Sequence, residues 1–336
     1  MASFGLTLPN RGVLLGAIST AELLDLATEA DRSGVFDSVW VGDSILAKAR
    51  LETVAVLGAL AARTTRVKLG VGCLASFPHR QPVLFALQWA SLDVISSGRM
   101  LLAVCIGGPD QQGPTFVLEN RTMGVKSAER VARLEEGIAV LRSLWSETRA
   151  THQGTFYQFE NVNLEPKPLQ NPCPIWIANN PTSATYKHGA PGGNVERMLR
   201  RVATLADGWM TNRMTPARFR ELWGMIETFA REAGRDPAKI GSCLYHNFNI
   251  NPDKAAAYAE TKKFLDAYYY TDFPKPFIDS WTAYGSAEEC IERLREFFAA
   301  GVQQITLRPC SWDQRGQFER LVTEVLPAFG LRAETG

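Results

Sequence analysis

The segment 67–108 constrains the fold most, because two apolar runs flank one amphipathic helix pattern. The first run, 67–73, is short and rich in β-branched residues, which favours a strand over a helix. Apolar residues then recur every three or four positions over 83–94, after Pro82, a residue that is tolerated in the first turn of a helix. The second run, 100–106, is again continuous. The segment therefore predicts a βαβ unit whose two buried strands run parallel.

The same alternation of short apolar runs and helix patterns continues along the chain. Eight strands are predicted, at 4–8, 38–41, 67–73, 100–106, 175–178, 208–210, 242–250 and 305–307. Eight βα units favour an α/β fold of the (β/α)8 TIM-barrel type over an open, doubly wound sheet. An open dinucleotide-binding sheet would also carry a G-x-G-x-x-G turn after its first strand, and residues 9–12 lack one. We therefore expect a single barrel domain over residues 1–336.

Three predicted insertions interrupt this alternation, at about residues 151–165, 181–193 and 268–284. Residues 151–165 alternate like a β-hairpin. Residues 181–193 are rich in glycine and proline, which predicts a mobile lid. Residues 268–284 concentrate aromatic side chains between prolines, so we expect neither a regular helix nor a strand there. Such a loop would close a substrate pocket, cover the side of the barrel or contact a second subunit.

Composition excludes several classes of protein. The 36 Lys and Arg residues balance 35 Asp and Glu residues, so no surface for nucleic acid or anionic lipid is expected. No apolar run is long enough to span a membrane, and no signal-like segment precedes the first strand, so we expect a cytoplasmic protein. The six cysteines form no CxxC pair and the four histidines lie far apart. We therefore expect reduced thiols and no metal site.

Six short segments occur in an ordered combination that is typical of one family. They are VWVGDS at 39–44, LGVGCL at 69–74, LDVISSGRMLLAV at 92–104, PIWIANN at 174–180, LADGW at 205–209 and SAEECIERLREFFAAGVQQITLRP at 286–309. With them the chain resembles the bacterial luciferase-like family of flavin- or deazaflavin-dependent oxidoreductases, from about residue 3 to about residue 328. The resemblance implies a flavin cofactor and a homodimer, paired here through the apolar helices at 54–62 and 83–94.

The ligands of such barrels gather at the carboxyl ends of the strands. The resemblance places the flavin ring against a bulge with a non-proline cis peptide at 72–74, and the cofactor phosphate after the fifth strand. Short polar side chains near a helix start, as at 179–183, are themselves typical of an anion site. The cofactor-binding residues expected are Gly72, Cys73, Leu74, Gly107, Gly108, Ala178, Asn179, Asn180 and Thr182. A valine at position 72 should then obstruct the ring and leave the fold intact.

Three residues are candidates for acid–base catalysis, namely Asp43, His79 and His246. Histidine titrates near neutral pH, and the resemblance places a histidine of one monooxygenase subgroup near His246. The family's usual histidine base would stand at position 44, and the glutamate of deazaflavin dehydrogenases at position 108. This chain has Ser44 and Gly108 there, which argues against an alcohol dehydrogenase. Asp43 serves equally well as a helix cap, and a lone strand histidine is typically hydrogen-bonded in the core.

The main functional hypothesis is a two-component monooxygenase, in which FMN reduced by a separate flavin reductase reacts with O2 beside a small substrate. One alternative is hydride transfer with the deazaflavin coenzyme F420, and another is a non-catalytic flavin-binding barrel. At the strand ends we expect no cluster of basic residues but Phe77, Trp312 and the aromatic residues of 268–281, with Arg308 and His246 as the polar groups. An aromatic pocket with few polar groups favours an apolar substrate.

Overall fold

In this computed structural model the described residues are 2–108, 110, 113–181 and 193–333. The predicted lid at 181–193 and the candidate Thr182 therefore lie almost wholly outside the described residues. The strands are β1 (Ser3–Thr7), β2 (Ser38–Val41), β3 (Lys68–Leu74), β4 (Met100–Val104), β5 (Ala150–Gln153), β6 (Gln158–Val162), β7 (Ile175–Ala178), β8 (Gly208–Asn212), β9 (Gly241–Ile250), β10 (Thr282–Gly285) and β11 (Gln304–Pro309). The helices are α1 (Thr20–Arg32), α2 (Thr53–Arg63), α3 (Pro82–Ile95), α4 (Pro114–Thr122), α5 (Arg130–Ser146), α6 (Gly193–Leu205), α7 (Pro216–Glu232), α8 (Lys254–Tyr269), α9 (Lys275–Trp281), α10 (Ala287–Ala299) and α11 (Gln314–Arg320).

Eight strands close into a parallel barrel in the order β1-β2-β3-β4-β7-β8-β9-β11, and β11 pairs back with β1. The closing pairs are parallel like the others, with Gly208 of β8 opposite Gly241 of β9 and Leu6 of β1 opposite Leu307 of β11. The predicted (β/α)8 barrel is confirmed. Because all eight strands run the same way, the loops that follow them meet at one end, the mouth of the barrel.

Side chains fill the inside of the barrel below this mouth. The buried interior residues are Trp40, Leu101, Ala103, Met210 and Cys243, with Trp176 and Ala178 packed against them. Glycines on the neighbouring strands make room for the two indoles. A Cβ at Gly70 would lie 2.2 Å from Cε3 of Trp40, and a Cβ at Gly208 would lie 2.3 Å from Cδ2 of Trp176. The barrel is therefore a packed core, and space for ligands is confined to its mouth.

The outer helices begin and pack as their sequences predict. Ser19 and Glu22 form a reciprocal capping box at the start of α1, and Ser286 and Glu289 form another at the start of α10. Helices such as α1, α5 and α7 turn an apolar face towards the strands, where a large buried cluster joins the two layers. Helix α4 differs, because it buries Glu119 and Asn120 and exposes Val117 and Leu118. Within the described ranges, every helix is either too short or too polar to cross a membrane.

Two of the predicted insertions fall within the described residues. The hairpin at 151–165 is confirmed, because β5 and β6 pair antiparallel. The prediction that 268–284 is irregular is wrong, since the segment completes α8, forms α9 and adds β10. Pro276 lies in the first turn of α9, where its missing N–H costs nothing, so the proline starts a helix instead of preventing one. Strand β10 then pairs in parallel with the end of β9, Ala283 opposite Phe248.

Candidate active site at the mouth of the barrel

The end of β3 departs from regular strand geometry. The peptide bond between Gly72 and Cys73 is cis, and the pairing of β3 with β4 shifts register between Gly72 and Leu74. The bulge and the cis peptide that the resemblance implied are therefore confirmed. Cys73 and Cys105 are both only partly buried and lie side by side at the mouth. Their hydrogen bond, with burial, raises the pKa of the Cys73 thiol well above its usual range, so this thiol is neutral at physiological pH.

Gly72 itself faces the packed interior of the barrel. A Cβ there would lie 3.0 Å from Sδ of Met210 and 3.4 Å from Cε3 of Trp40. A valine at position 72 would therefore also press on Met210 inside the barrel, so its effect would not be confined to a bound ring.

Asp43 lies near the bulge, and both of its carboxylate oxygens accept hydrogen bonds. Its carboxylate accepts hydrogen bonds from the Ser76 N–H at 2.7 Å and the Thr53 hydroxyl at 2.9 Å, and Nη2 of Arg80 lies 3.2 Å away. Only 3% of the Asp43 side chain is exposed. These contacts fasten the turn that follows the bulge to the start of α2. The structure thus gives Asp43 a positioning role, and its role as a base stays a prediction.

The loop after β4 is pressed against the same bulge. Gly107 has a φ of 72°, and a Cβ on it would lie 2.8 Å from the carbonyl oxygen of Ala75, so only glycine fits. Nη1 of Arg130 donates to the carbonyls of Ile106 and Gly108 and holds the loop in place. Sequence reasoning selected both glycines but missed Arg130, which lies at the start of α5.

The residues at the end of β7 point in different directions. The Asn179 side chain accepts a hydrogen bond of 2.9 Å from Nε1 of Trp209 and donates one of 3.3 Å to the Met198 carbonyl, so it ties the strand to the helix layer. Ala178 packs inside the barrel. Asn180 lies at the mouth, where its amide is 2.6 Å from Oδ1 of Asn212. Of these candidates, the structure brings Asn180 to the mouth.

Neither candidate histidine lies free at the mouth. Nε2 of His79 is 2.7 Å from Oδ1 of Asn120, in a short helical turn outside the barrel wall. His246 is completely buried, and its ring lies 5.1 Å from that of Phe297 in α10. Burial, with the nearby Arg293 guanidinium, holds the pKa of His246 well below its usual range. His246 therefore faces the helix layer as a neutral side chain, and the structure does not bring it together with the bulge.

Five basic residues meet at the mouth, where the sequence predicted no basic cluster. This cation cluster consists of Lys48, Arg11, Arg50, Arg213 and Arg308. Its members follow β1, β2 and β8 or lie near the end of β11, so strands that are far apart in the sequence bring them together. Lys48 and Arg50 were missed because they lie several residues beyond the end of β2. Their signal was the basic loop that follows this strand.

The pKa of Lys48 falls to about 7, because the side chain is desolvated and Arg50, Arg11, Arg213 and Arg308 repel its charge. A buried carboxylate fixes the loop that carries it. Oε2 of Glu119 accepts hydrogen bonds from the backbone N–H groups of residues 45–47, at 2.9, 2.6 and 2.9 Å. Glu119 also accepts one from the Ser44 hydroxyl at 3.3 Å. Position 44, where a histidine base was expected, therefore serves to hold the Lys48 loop.

Aromatic rings surround the cation cluster. The aromatic wall consists of Tyr245, Tyr268, Tyr269, Phe277 and Trp281. The guanidinium carbon of Arg308 lies 4.3–5.6 Å from the ring centres of the three tyrosines and Trp281. That of Arg213 lies 4.8 Å from the ring of Phe277. Cation–π contacts of this kind contribute about 0.5–2 kcal/mol each. The aromatic residues predicted within 268–281 thus gather around cations, whereas Phe77 packs against Phe85 of α3 and Trp312 against Phe264 of α8.

A family model described as luciferase-like monooxygenase matches residues 1–304 of the chain. The chain belongs to the luciferase-like monooxygenase family. The bulge, the cis peptide and the barrel agree with this membership. The protein is therefore an enzyme of the oxidoreductase class. Within the described residues, no three His, Cys, Asp or Glu side chains lie together as metal ligands.

Known members show two kinds of chemistry. This luciferase-like chain is 25% identical to an F420-dependent glucose-6-phosphate dehydrogenase from Nakamurella multipartita, with 94% of each chain covered. It is 24% identical to the oxygenase component of a flavin-dependent trigonelline monooxygenase from Acinetobacter baylyi, over 92% of this chain and 89% of the relative. A solved structure of an F420-dependent secondary alcohol dehydrogenase with an F420–acetone adduct superposes with a TM-score of 0.77, at 21% identity, over 97% of this chain and 98% of the other. That likeness shows the fold.

Proposed function

We propose that this protein is the oxygenase component of a two-component system that uses FMN, reduced by a separate reductase, and O2. What supports the proposal most is the state of the acidic and imidazole groups near the bulge. The carboxylates of Asp43 and Glu119 and the imidazole of His79 are all hydrogen-bonded within the protein. Oxidation of an alcohol needs a base for the hydroxyl proton, and these groups are poorly placed to be one. Oxygenation takes its oxidising power from the cofactor and O2.

The residues at the end of β3 and β4 fit a flat ring. Cys73 and Cys105 are small and partly exposed, and Gly107 allows the β4 loop to approach the bulge within contact distance. In this proposal the bulge supports the ring, while Asn180 and the backbone of 107–108 approach the ribityl chain or phosphate. When bound, the cofactor supplies the redox chemistry. The protein orients it through Asp43 and Arg130, which fasten the two loops, and the aromatic wall excludes water.

A second candidate is hydride transfer from reduced F420 to a carbonyl group. The relatives named F420-dependent dehydrogenases favour it, and so does Lys48. Hydride transfer to a carbonyl requires a proton donor, and an ammonium group with a pKa of about 7 is suited to give up a proton at neutral pH. In this alternative, Lys48 takes the place of the histidine expected at position 44.

Anaerobic titration of the purified protein with reduced FMN and with reduced F420 separates these candidates, and O2 uptake is then measured with the cofactor that binds. We expect reduced FMN to bind and to support O2 uptake. Cys105→Phe should lower the affinity at least about tenfold by filling the space over the bulge, whereas the isosteric Cys105→Ser should leave it unchanged. An unchanged affinity in Cys105→Phe would place the ring elsewhere. Binding of F420 alone would favour the second candidate, and binding of neither would contradict both.

We also propose that the protein is a homodimer through α2 and α3. The outer face of α3 exposes Leu84 (56%), Leu87 (38%) and Ile95 (58%). Apolar side chains gathered on one exposed helix face are typical of a protein–protein contact. Light scattering at micromolar concentration should give twice the monomer mass, and Leu84→Glu should halve it. A monomer in the unmodified protein would contradict the proposal.

A further inference from the structure

Two arginines of the cation cluster are buried without a full set of hydrogen-bond partners. Arg11 and Arg308 are each only 1% exposed. Among the described residues, nothing accepts a hydrogen bond from Nε of Arg308, or from Nε and Nη2 of Arg11. Buried donors are nearly always paired, and leaving one unpaired costs about 1–3 kcal/mol, or more for a charged group. A ligand with acceptor atoms would satisfy these donors.

Among the described residues, the cluster also has no counter-ion of its own. In the part of the chain that the structure describes, no carboxylate forms an ion pair with any of its five members. Tyr245 does not supply a negative charge either, because burial raises the pKa of its phenol well above the usual range. The whole chain carries a net charge of only +1, so this concentration of positive charge is local. A cleft lined by one sign of charge attracts ligands of the opposite sign.

Three members of the cluster lie away from the proposed flavin site, whereas Arg213 follows β8, the neighbour of β7. The bulge and the loops proposed for the flavin follow β3, β4 and β7, which are neighbours in the barrel. Arg308, Arg11 and Lys48 belong to β11 and to the loops after β1 and β2, which form the adjoining arc. A group held by these cations would therefore lie beside the flavin, where a substrate belongs.

The aromatic wall determines which kind of chemical group accompanies the negative charge of a ligand. The ring of Tyr269 lies 5.4 Å from that of Trp281, and the ring of Phe277 lies 5.8 Å from it, centre to centre. Resting on the proposed function, we propose that the cation cluster binds the anionic group of an organic substrate, a carboxylate, sulfonate or phosphate, whose apolar or aromatic body packs on this wall. The substrate is thus an amphiphilic anion, whereas the sequence favoured an uncharged apolar body with few polar contacts.

Calorimetric titration of the flavin-free protein with benzoate and benzenesulfonate tests this inference, with benzamide and benzenesulfonamide as neutral analogues. We expect the anions to bind at least about tenfold more tightly than the amides at about pH 6, where Lys48 is charged, and added NaCl to weaken only the anions. Equal affinities for anion and amide, or no binding of either anion at millimolar concentration, would overturn the inference.

Arg308→Met removes one cation of the cluster and keeps much of its apolar volume. We expect the affinity for benzoate to fall at least about tenfold and that for benzamide to change by less than about threefold. Lys68→Met, which removes a charge from the exposed start of β3 at the other end of the barrel, should change neither. Should Arg308→Met fail to fold, as judged by circular dichroism, Lys48→Met gives the same comparison from a partly exposed position. Equal losses for benzoate and benzamide in either variant would contradict an anion site.

A last comparison distinguishes the substrate from the phosphate of the cofactor. Arg308→Met should weaken FMN and riboflavin to the same small extent, because the flavin phosphate is placed after β7, which β8 and β9 separate from β11. A selective loss of FMN would show that the cluster holds the cofactor phosphate and would overturn the inference. If anions are discriminated but no flavin binds, the proposed function fails alone. If flavin binds at the bulge but anions are not preferred, only this inference fails.

Discussion

The phenol oxygen of Tyr269 accepts a hydrogen bond of 2.9 Å from Nη1 of Arg308, and Nζ of Lys48 lies 4.4 Å from the centre of the same ring. Tyr269 is the last residue of α8, whereas Arg308 lies in β11 and Lys48 follows β2. The contact therefore joins the inserted segment to two sides of the barrel. Because one tyrosine touches two cations, its position determines how both are presented to a ligand.

Tyr269→Phe should weaken benzoate binding by about three- to tenfold, because Arg308 loses an acceptor that orients its guanidinium. Tyr269→Ala should cost more, since it also removes a ring of the aromatic wall, and it should raise the apparent KM in turnover. Tyr258→Phe is the matched control, because Tyr258 lies on the same helix but packs against Tyr284. Binding and turnover unaffected by Tyr269→Ala would mean that the segment 268–284 contributes only packing.

Lys48 should make stability depend on pH in a predictable direction. Its folded pKa of about 7 lies below the ordinary value of 10.5, so the unfolded chain binds more protons between these two pH values. The free energy of unfolding attributable to Lys48 therefore rises as pH increases from about 7 to about 10. Lys48→Met should remove this rise and, at pH 6, stabilise the ligand-free protein by about 2 kcal/mol after allowance for partial exposure. Urea unfolding of the unmodified protein and of Lys48→Met across this pH range measures both free energies of unfolding. The same dependence on pH in the two proteins would contradict the prediction.

Glu119→Gln should weaken anion binding without altering any residue of the cation cluster. The carboxylate accepts three backbone N–H groups of the loop that carries Lys48, and an amide oxygen accepts them less strongly. We expect a loss of benzoate affinity of about threefold. In the double variant with Lys48→Met, the two effects should be less than additive, because both act through the same ammonium group. Full additivity would show that Glu119 acts on the site by another route.

The barrel could be predicted from the sequence because each strand is a short apolar run between helix patterns, and 38–41 and 175–178 were located to the residue. The bulge was predicted from the resemblance and not from the spacing of residues. The regular structure of 268–284 could not be predicted because proline commonly breaks helices and strands, although Pro276 stands where a helix tolerates one. Sequence patterns describe a residue and its near neighbours, and the strand pairing that places β10 beside β9 is not local.

The cation cluster, like strand β10, could not be predicted from local sequence patterns. Arg11, Lys48 and Arg308 are separated by tens to hundreds of residues, and only closure of the barrel brings them around Tyr268 and Tyr269. The balanced net charge of the chain concealed the cluster, because the acidic side chains that offset it lie elsewhere. The strand-end rule stops short of Arg11, Lys48 and Arg50, which lie further into the loops that follow β1 and β2.

Asp43→Asn distinguishes a positioning role from a catalytic one. The substitution keeps the size of the side chain but replaces one carboxylate oxygen with an amide nitrogen. One oxygen of Asp43 accepts the Ser76 N–H and the other contacts Arg80, so the amide disrupts one of these contacts. Because Arg80 loses a buried charged partner, we expect the free energy of unfolding to fall by about 2–4 kcal/mol. Since the turn after the bulge depends on the same contacts, affinity for the reduced flavin should fall with it. A purely catalytic Asp43 would instead lower turnover while unfolding and flavin affinity stayed unchanged. Chemical denaturation and anaerobic flavin titration of one preparation decide between these outcomes.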